Sequence, residues 1–242
     1  MNKLGVIAIA GIAISTVSLG IAVNIAVKSG QDFDWSWLAD DNGFGSCKTT
    51  GETANRRTLD WDDSDEVSVS IPVNLHYTAG QGTQLVMTGD PELLSHVRVE
   101  DGAIKLNCSA TLSSHKRIDV TLPGNKTFRE IDLKGVGDVD FHKIDQPELE
   151  VNMAGAGDVT VDGKTEKLSI STAGRGDIHA KDLIAQVVEI DIAGHGDVET
   201  SPIESADISI AGHGDVKLYT EPKHVETSIM GSGSVEHMAT QK

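Results

Sequence analysis

A four-residue phrase, Gly-x-Gly-Asp, returns at nearly constant spacing through the second half of the 242-residue chain. Its first glycines are separated by 20, 19, 20, 18 and 19 residues, and the sixth copy has serine in place of aspartate. A fixed period near 19 indicates stacked coils, because one such unit is too small to bury its own apolar face. The glycine pairs are Gly135 and Gly137, Gly155 and Gly157, Gly174 and Gly176, Gly194 and Gly196, Gly212 and Gly214, and Gly231 and Gly233.

Apolar and polar residues alternate on both sides of each glycine pair. Before one pair, Val188, Ile190 and Ile192 alternate with acidic residues, and after another a shorter alternation includes Val159 and Val161. This pattern predicts two short strands per unit, each with one buried face. We therefore predict an all-β fold, a parallel β-solenoid with coils of about 19 residues that is regular from residue 130 onward.

The glycines themselves predict a sharp corner in each coil, where a Cβ atom would clash or where φ is positive. Residues four and two positions before the first glycine are mostly apolar and are expected to stack as inward columns at about 4.8 Å per coil. The last coil carries Ser234 and a polar tail, as expected of a capping coil that faces water. Residues 61–122 are strand-like but lack the phrase, and either continue the solenoid, which we favour, or form a small β-cap.

An uncharged, mostly apolar run occupies residues 4–27 and is long enough to cross a bilayer. It is either a retained membrane anchor or a signal peptide that is removed, and both alternatives imply export of the rest. Lys3 before the run and acidic residues after it place the body outside the cytoplasm. The sequence thus predicts a signal or anchor helix over residues 1–28, a flexible tether over 29–60 and the β-helix domain over 61–240.

The two cysteines, Cys47 and Cys108, are predicted to lie in a compartment that permits oxidation, and the sequence leaves open whether they pair. The formal net charge of −17 argues against nucleic-acid binding, because an acidic surface repels phosphate. Aromatic residues make up only 4% of the chain, which is poor material for a sugar or cofactor pocket lined by rings.

Three segments ahead of the repeats carry a resemblance. Residues 73–77 (VNLHY), 85–90 (LVMTGD) and 93–106 (LLSHVRVEDGAIKL), followed by the Gly-x-Gly-Asp coils, resemble the putative auto-transporter adhesin, head GIN domain family. The resemblance covers about residues 60–238. It implies a right-handed parallel β-helix in a bacterial envelope protein, and it brings no catalytic residues.

The aspartates of the phrase fall in one column and have two interpretations. Their carboxylates would chelate calcium, or each would accept backbone N–H bonds within its own turn, which is the interpretation we favour. The calcium candidates are Asp158, Asp177, Asp197 and Asp215. His195 and His213, on neighbouring coils, are interpreted as exposed corner residues and alternatively as a metal pair. No other metal and no cofactor is expected.

A second column is mostly acidic and is predicted to face outward: Glu130, Glu150, Ser169, Glu189, Asp207 and Glu226. It is interpreted as a solvated surface or as a contact face for a cationic partner or bridging divalent ions. The leading function is a non-enzymatic exported envelope protein, an adhesin or interaction module with a protein or glycan partner, held at the membrane by its N-terminal helix. The alternatives are a membrane-anchored periplasmic scaffold or regulator, and a polysaccharide-active enzyme.

Overall fold

The computed structural model describes residues 47, 50–108 and 117–238, all of which lie in one compact unit. The predicted N-terminal helix over residues 1–28 and most of the predicted tether lie outside the described residues. Among those described, no helix combines the length and the hydropathy that crossing a bilayer requires. The described residues form an all-β structure with one short helix, in agreement with the fold class expected from the repeats.

The elements follow in chain order. They are β1 (Arg56–Leu59), β2 (Glu66–Val69), β3 (Val73–Thr78), β4 (Leu85–Thr88), α1 (Pro91–His96), β5 (Val97–Glu100), β6 (Ala103–Leu106), β7 (Ile118–Thr121), β8 (Glu130–Leu133), β9 (Val139–Met153), β10 (Val159–Thr172), β11 (Ile178–Ile192), β12 (Val198–Gly212), β13 (Asp215–Leu218), β14 (His224–Gly231) and β15 (Ser234–His237).

The coils stack in parallel and in register, which confirms the solenoid. Ile131, Val151, Ile170, Ile190 and Ile208 pair with one another from coil to coil, and each is at most 1% exposed. Because equivalent apolar residues repeat along the axis, each coil buries its inward side chains against the coil before it and the coil after it. The predicted inward columns are therefore the core of the structure.

The strands within one coil differ from the prediction. Sequence alternation predicts two short strands per unit, but each of β9 to β12 is one strand of 14 or 15 residues that continues from one glycine corner to the next. Register shifts interrupt the pairing in mid-strand, for example between Val161 and Gly163. Lys143 and Gly163 both have positive φ at these points. The chain thus bends without breaking the hydrogen-bonded ladder.

At the corners the glycines of successive coils lie directly against one another. A Cβ atom on Gly155 would lie 2.0 Å from the carbonyl oxygen of Gly135, and one on Gly157 would lie 1.9 Å from that of Gly137. Gly157 also has a φ of +147°. Both reasons proposed for glycine at the corners, close approach and positive φ, thus hold at this position.

Residues before 130 form one solenoid coil and a cap. Strands β2 and β3 pair in parallel with β8 and β9, so they continue the solenoid. In contrast, β4 pairs antiparallel with β1 and β7, and β5 pairs antiparallel with β6. Buried rings fill this end, with Phe128 in edge-on contact with Trp61 and Tyr77. Both earlier expectations for residues 61–122 therefore apply, and β6 and β7 join the two parts, because they pair in parallel with β2 and β3 and antiparallel with β5 and β4.

Two features tie the segment before residue 60 to this cap. Strand β1 lies within residues 29–60, where the sequence predicts a tether, so the folded domain begins earlier than expected. Antiparallel pairing of β1 with β4 is a non-local contact that residue composition does not reveal. A disulfide joins Cys47 to Cys108, with their Cα atoms 5.0 Å apart. It links the segment before β1 to the residues that follow β6.

The last coil is the most exposed part of the solenoid. In β14, Ile229 is 42% exposed and Met230 75% exposed, whereas the equivalent Ile210 of the preceding coil is 1% exposed. No described strand covers the far side of β14, which pairs only with β12. The exposure agrees with the terminal position expected for this coil.

Candidate functional site

One outward surface of the solenoid, which we call the acidic face, follows strands β2, β8, β14 and the second halves of β9 to β12. Strand register aligns its side chains in two columns. The first column is Glu66, Glu130, Glu150, Ser169, Glu189, Asp207 and Glu226. The second column is Ser68, Asp132, Asn152, Ser171, Asp191, Ser209 and Ser228. Neither column contains a lysine, arginine or histidine.

Like charges stand close together on this face. Burial and the neighbouring carboxylates, Glu150 first among them, raise the pKa of Glu130 above its usual value. Burial and then Asp207 raise the pKa of Asp191 in the same way. The cations that contact the face come from its borders, where Lys134 pairs with Asp132 at 2.5 Å and Lys167 pairs with Glu189 at 2.9 Å. The face therefore keeps an excess of negative charge.

The N-terminal end of the acidic face is its most crowded part. Carboxylate oxygens of Glu66, Glu130 and Asp132 lie within 4.8 Å of one another. Asn152, which is 7% exposed, donates from Nδ2 to Glu130 at 3.2 Å and to Glu150 at 2.9 Å. Its Oδ1 is buried and has no hydrogen-bond partner. Sequence reasoning included Glu130 and Glu150 in the outward column but missed Glu66, Asp132 and Asn152.

The aspartates of the repeated phrase form a ladder that runs between coils. Oδ1 of Asp158 accepts the backbone N–H of Asp177 at 3.1 Å, and Oδ1 of Asp177 accepts that of Asp197 at 2.9 Å. The same contact links Asp197 to Asp215 and Asp215 to Ser234, both at 2.9 Å. These side chains thus accept N–H bonds from the next coil. The sequence had led us to expect a donor in each aspartate's own turn, and that expectation was wrong. Calcium binding by this column stays a prediction.

Replacing one member of the ladder is expected to destabilise the solenoid moderately. Asp177→Ala removes the acceptor for the backbone N–H of Asp197, and the free energy of unfolding should fall by about 1–2 kcal/mol. Asp177→Asn keeps an acceptor oxygen and should recover part of the loss. Urea denaturation followed by circular dichroism measures the difference. Asp182→Ala, at an exposed position outside the ladder, should change stability by less than about 0.5 kcal/mol. Equal effects at positions 177 and 182 would contradict a structural role for the ladder.

A second outward surface carries histidine–carboxylate pairs. Nδ1 of His76 lies 3.0 Å from Asp140, and Nδ1 of His179 lies 3.2 Å from Glu199. Burial acts to raise the pKa of Glu199, but hydrogen bonds from His179 and Tyr219 outweigh it, so this pKa is lowered. Imidazoles and carboxylates are thus paired from coil to coil on this surface, whereas the two columns of the acidic face contain no histidine.

His195 and His213 lie on neighbouring coils, as their spacing predicts. Their rings stack with centroids 4.9 Å apart and an interplanar angle of 5°, and both side chains are exposed. Metal binding by this pair stays a prediction.

Four of the five Phe, Trp and Tyr rings among the described residues contribute to the core. Phe128 and Phe141 are fully buried, and Trp61 and Tyr77 are at most 7% exposed. Tyr219 is the remaining ring among the described residues, and its hydroxyl donates to Glu199. Sugar-binding clefts commonly use rings as stacking platforms, and the described surface offers one ring at most.

The repeats and the segments ahead of them match one known family. The family model described as "Putative auto-transporter adhesin, head GIN domain" matches residues 63–222, which include the solenoid up to β13. The chain belongs to this family. The resemblance based on residues 73–106 and on the glycine corners is thereby confirmed.

Solved structures of similar fold come from Bacteroides and Parabacteroides species. A putative adhesin from Bacteroides fragilis is 22% identical, with a TM-score of 0.59, and the alignment covers 76% of this head GIN domain chain and 96% of that one. A putative lipid binding protein from Parabacteroides distasonis is 20% identical, with a TM-score of 0.43, covering 78% and 98% of the two chains. The first similarity supports the fold. A search of curated proteins found no match.

Proposed function

We propose that this head GIN domain protein is a non-enzymatic, exported interaction module of the adhesin type, and that its acidic face binds a cationic partner at the cell envelope. The partner is a basic protein segment or a glycan that carries amino groups. In this proposal residues 1–28 direct export or hold the domain at a membrane. The disulfide supports export, because such bonds persist in oxidising compartments.

The observation that carries the proposal is the regularity of the acidic face. Six of the seven side chains in its first column are carboxylates, aligned by strand pairing at about 4.8 Å per coil. A flat surface that repeats one charge along a rod offers many weak, equivalent contacts to an extended partner of opposite charge. Such contacts add through avidity when several form at once. The negative charge of the face also attracts a cationic partner over a distance and so favours encounter with it.

Neutralising part of this face is expected to weaken binding to a cationic surface. The full chain is passed over immobilised polylysine, with uncharged dextran as the reference surface. The triple variant Glu189→Gln, Asp207→Asn and Glu226→Gln removes three adjacent charges from the first column. If each exposed charge contact contributes about 0.5 kcal/mol, the apparent Kd should rise about tenfold. Surface plasmon resonance at low and physiological salt measures the change.

A matched control separates the face from overall charge. Glu166→Gln, Asp182→Asn and Glu221→Gln change the net charge by the same three units at exposed positions away from the acidic face. This control should bind polylysine within about twofold of the unmodified chain. Equal weakening in both triple variants would show that net charge and not the acidic face attracts the cation, and would overturn the assignment.

A further inference from the structure

Each end of the solenoid finishes in a strand that pairs on one side only. Among the described strands, β14 pairs only with β12 at the C-terminal end, and β5 pairs only with β6 at the N-terminal end. We propose that β14 of one chain pairs with β5 of a second copy, so that chains associate head to tail. This inference does not depend on the proposed cationic partner, because it concerns contact between two copies of this chain.

The C-terminal end leaves apolar surface uncovered. Ile229 is 42% exposed, whereas Ile210, at the same position of the preceding coil, is 1% exposed. Val225 lies on the same inward side of β14 and is only partly buried against the core. Because a coil buries its inward side chains against both neighbours, the last coil has one apolar side without a described partner. A second copy stacked on this end would bury that side.

The backbone of β14 offers hydrogen-bonding groups on the same side. In an earlier coil, the carbonyl oxygen of Thr172 accepts the backbone N–H of Ala193 in the coil that follows. Ile229 holds the position of Thr172 in the last coil, and no described strand follows it. Alternate residues of a strand point their N–H and C=O groups to the same side, so Val225 and Thr227 also face this open edge.

Strand β5 offers matching groups at the other end. Just before it, the backbone N–H of Asn107 donates to His96 at 3.0 Å. In an antiparallel hairpin, hydrogen-bonded pairs alternate with pairs that are not bonded, so Val97 and Val99 point their N–H and C=O groups away from β6. The carbonyl oxygen of Val97 already accepts a hydrogen bond from Arg57. Val99 is therefore the centre of the open edge.

The strand directions allow one copy to stack on the next in the same orientation. Strands β6, β2, β8 and β14 run parallel through the coils between them, and β5 is antiparallel to β6. Strand β5 of the next copy would therefore pair antiparallel with β14. On the neighbouring sheet face the end strands β1 and β15 are parallel, so the same stacking continues that sheet too.

One register of the new strand pair is complementary in side chains. It places Val99 opposite Val225 on the inward side, so apolar groups meet. On the outward side it aligns two polar pairs, namely Arg98 with Glu226 and Glu100 with His224. Opposite charges directly across an antiparallel pair stabilise it, and like charges destabilise it. The end of the acidic face thus meets a cation that the cap presents.

The association is open-ended and weak. Each chain uses β14 at one end and β5 at the other, so the contact is heterologous and does not close at a dimer. Strand β5 has four residues, which makes the contact small, and small interfaces belong to transient complexes. Head-to-tail stacking would also lengthen the acidic face and so add to its avidity for an extended partner.

The experiment is sedimentation of the full chain in a mild detergent. Between about 10 μM and 1 mM, the weight-average mass should rise with concentration and pass the mass of a dimer. A mass that stays at the monomer value at about 1 mM would overturn the proposal. A mass that stops at the dimer would do the same, because it would indicate a closed, two-fold contact.

A charge exchange identifies the contact. Glu226→Arg and Arg98→Glu each place like charges opposite one another, and each should weaken association about tenfold. An equimolar mixture of the two variants should associate again, because each β14 then meets a β5 of opposite charge. Glu166→Arg reverses a charge at an exposed position on β10 and should associate like the unmodified chain. A mixture that associates no better than its components would reject the pairing of Arg98 with Glu226.

A further variant keeps the test valid if Arg98→Glu does not fold, since Arg98 also donates to the carbonyl oxygen of Ser95. Val225→Lys changes a partly buried residue of the terminal strand and places a charge at the centre of the contact. It should keep the chain monomeric. Association that survives both Val225→Lys and Glu226→Arg would show that another part of the chain, such as residues 4–27, joins the copies, and would overturn the proposal.

Discussion

Gly157→Ala is expected to lower the free energy of unfolding by about 3–5 kcal/mol or to prevent folding altogether. The new Cβ atom would lie 1.9 Å from the carbonyl oxygen of Gly137, which is main chain of the preceding coil and cannot rotate away as a side chain does. The φ of +147° adds strain for any residue with a Cβ atom. Gly137 and Gly176 stack on either side of Gly157, so a backbone shift that relieved the clash in one coil would disturb the next coil. Guanidinium denaturation measures the loss.

Two controls separate the clash from the strain. Gly82 has a φ of +76°, and a Cβ atom added there would meet nothing within 4 Å. Gly82→Ala therefore tests backbone strain alone and should cost about 1–2 kcal/mol. Ala156→Ser changes the variable residue of the same phrase and should stay within about 0.5 kcal/mol. If Gly157→Ala cost no more than Gly82→Ala, close stacking of the coils would not be the reason for glycine at this corner.

The regular coils were predictable because the spacing between repeats decides which residues pair from coil to coil. A period of about 19 residues places Ile190 beside Ile170 and Ile208 whatever the rest of the chain does, and the structure pairs them in that way. The same period placed Glu189 beside Asp207 on the outward side. The inward columns and the outward acidic column from Glu130 to Glu226 therefore follow from counting residues between glycines.

The continuous strands and the cap were not predictable in the same manner. The bend at Lys143 and Gly163 depends on positive φ in mid-strand, which alternation of apolar residues does not encode. Strand β1 pairs with β4 although β2 and β3 lie between them in the chain, and no repeat links the two segments. Such pairings depend on tertiary contacts and not on local pattern.

The crowded end of the acidic face shows the same limit. Glu130 and Asp132 lie just before the first glycine corner. Counting residues back from each corner could have aligned Asp132 with Asn152, in the column two residues after the acidic one. Glu66 lies in a coil without the repeated phrase, so its place beside Glu130 becomes visible only through strand pairing. For the aspartate ladder, sequence reasoning found the correct role as a backbone acceptor but the wrong donor, because a local turn and the next coil offer the same chemistry.

The second large effect is expected at the disulfide. Reducing it, or replacing both Cys47 and Cys108 by serine, should lower the free energy of unfolding by about 4 kcal/mol at most, because the bond joins residues 61 positions apart and so closes a long loop in the unfolded chain. Denaturation with and without reductant measures the difference. The double serine variant should not respond to reductant, which controls for effects of the reagent itself. A response in that variant would show that the reagent acts elsewhere than on this bond.

The position of the bond also predicts where stability is lost. Its loop contains β1 to β6 and α1, whereas β9 to β12 lie outside it and bury their side chains against one another. In a solenoid, each coil contacts mainly its neighbours, so loosening at one end need not reach the other. Hydrogen exchange after reduction should therefore accelerate in residues 50–108 and change little in β10 and β11. Equal acceleration along the whole chain would mean that the cap and the coils unfold as one cooperative unit.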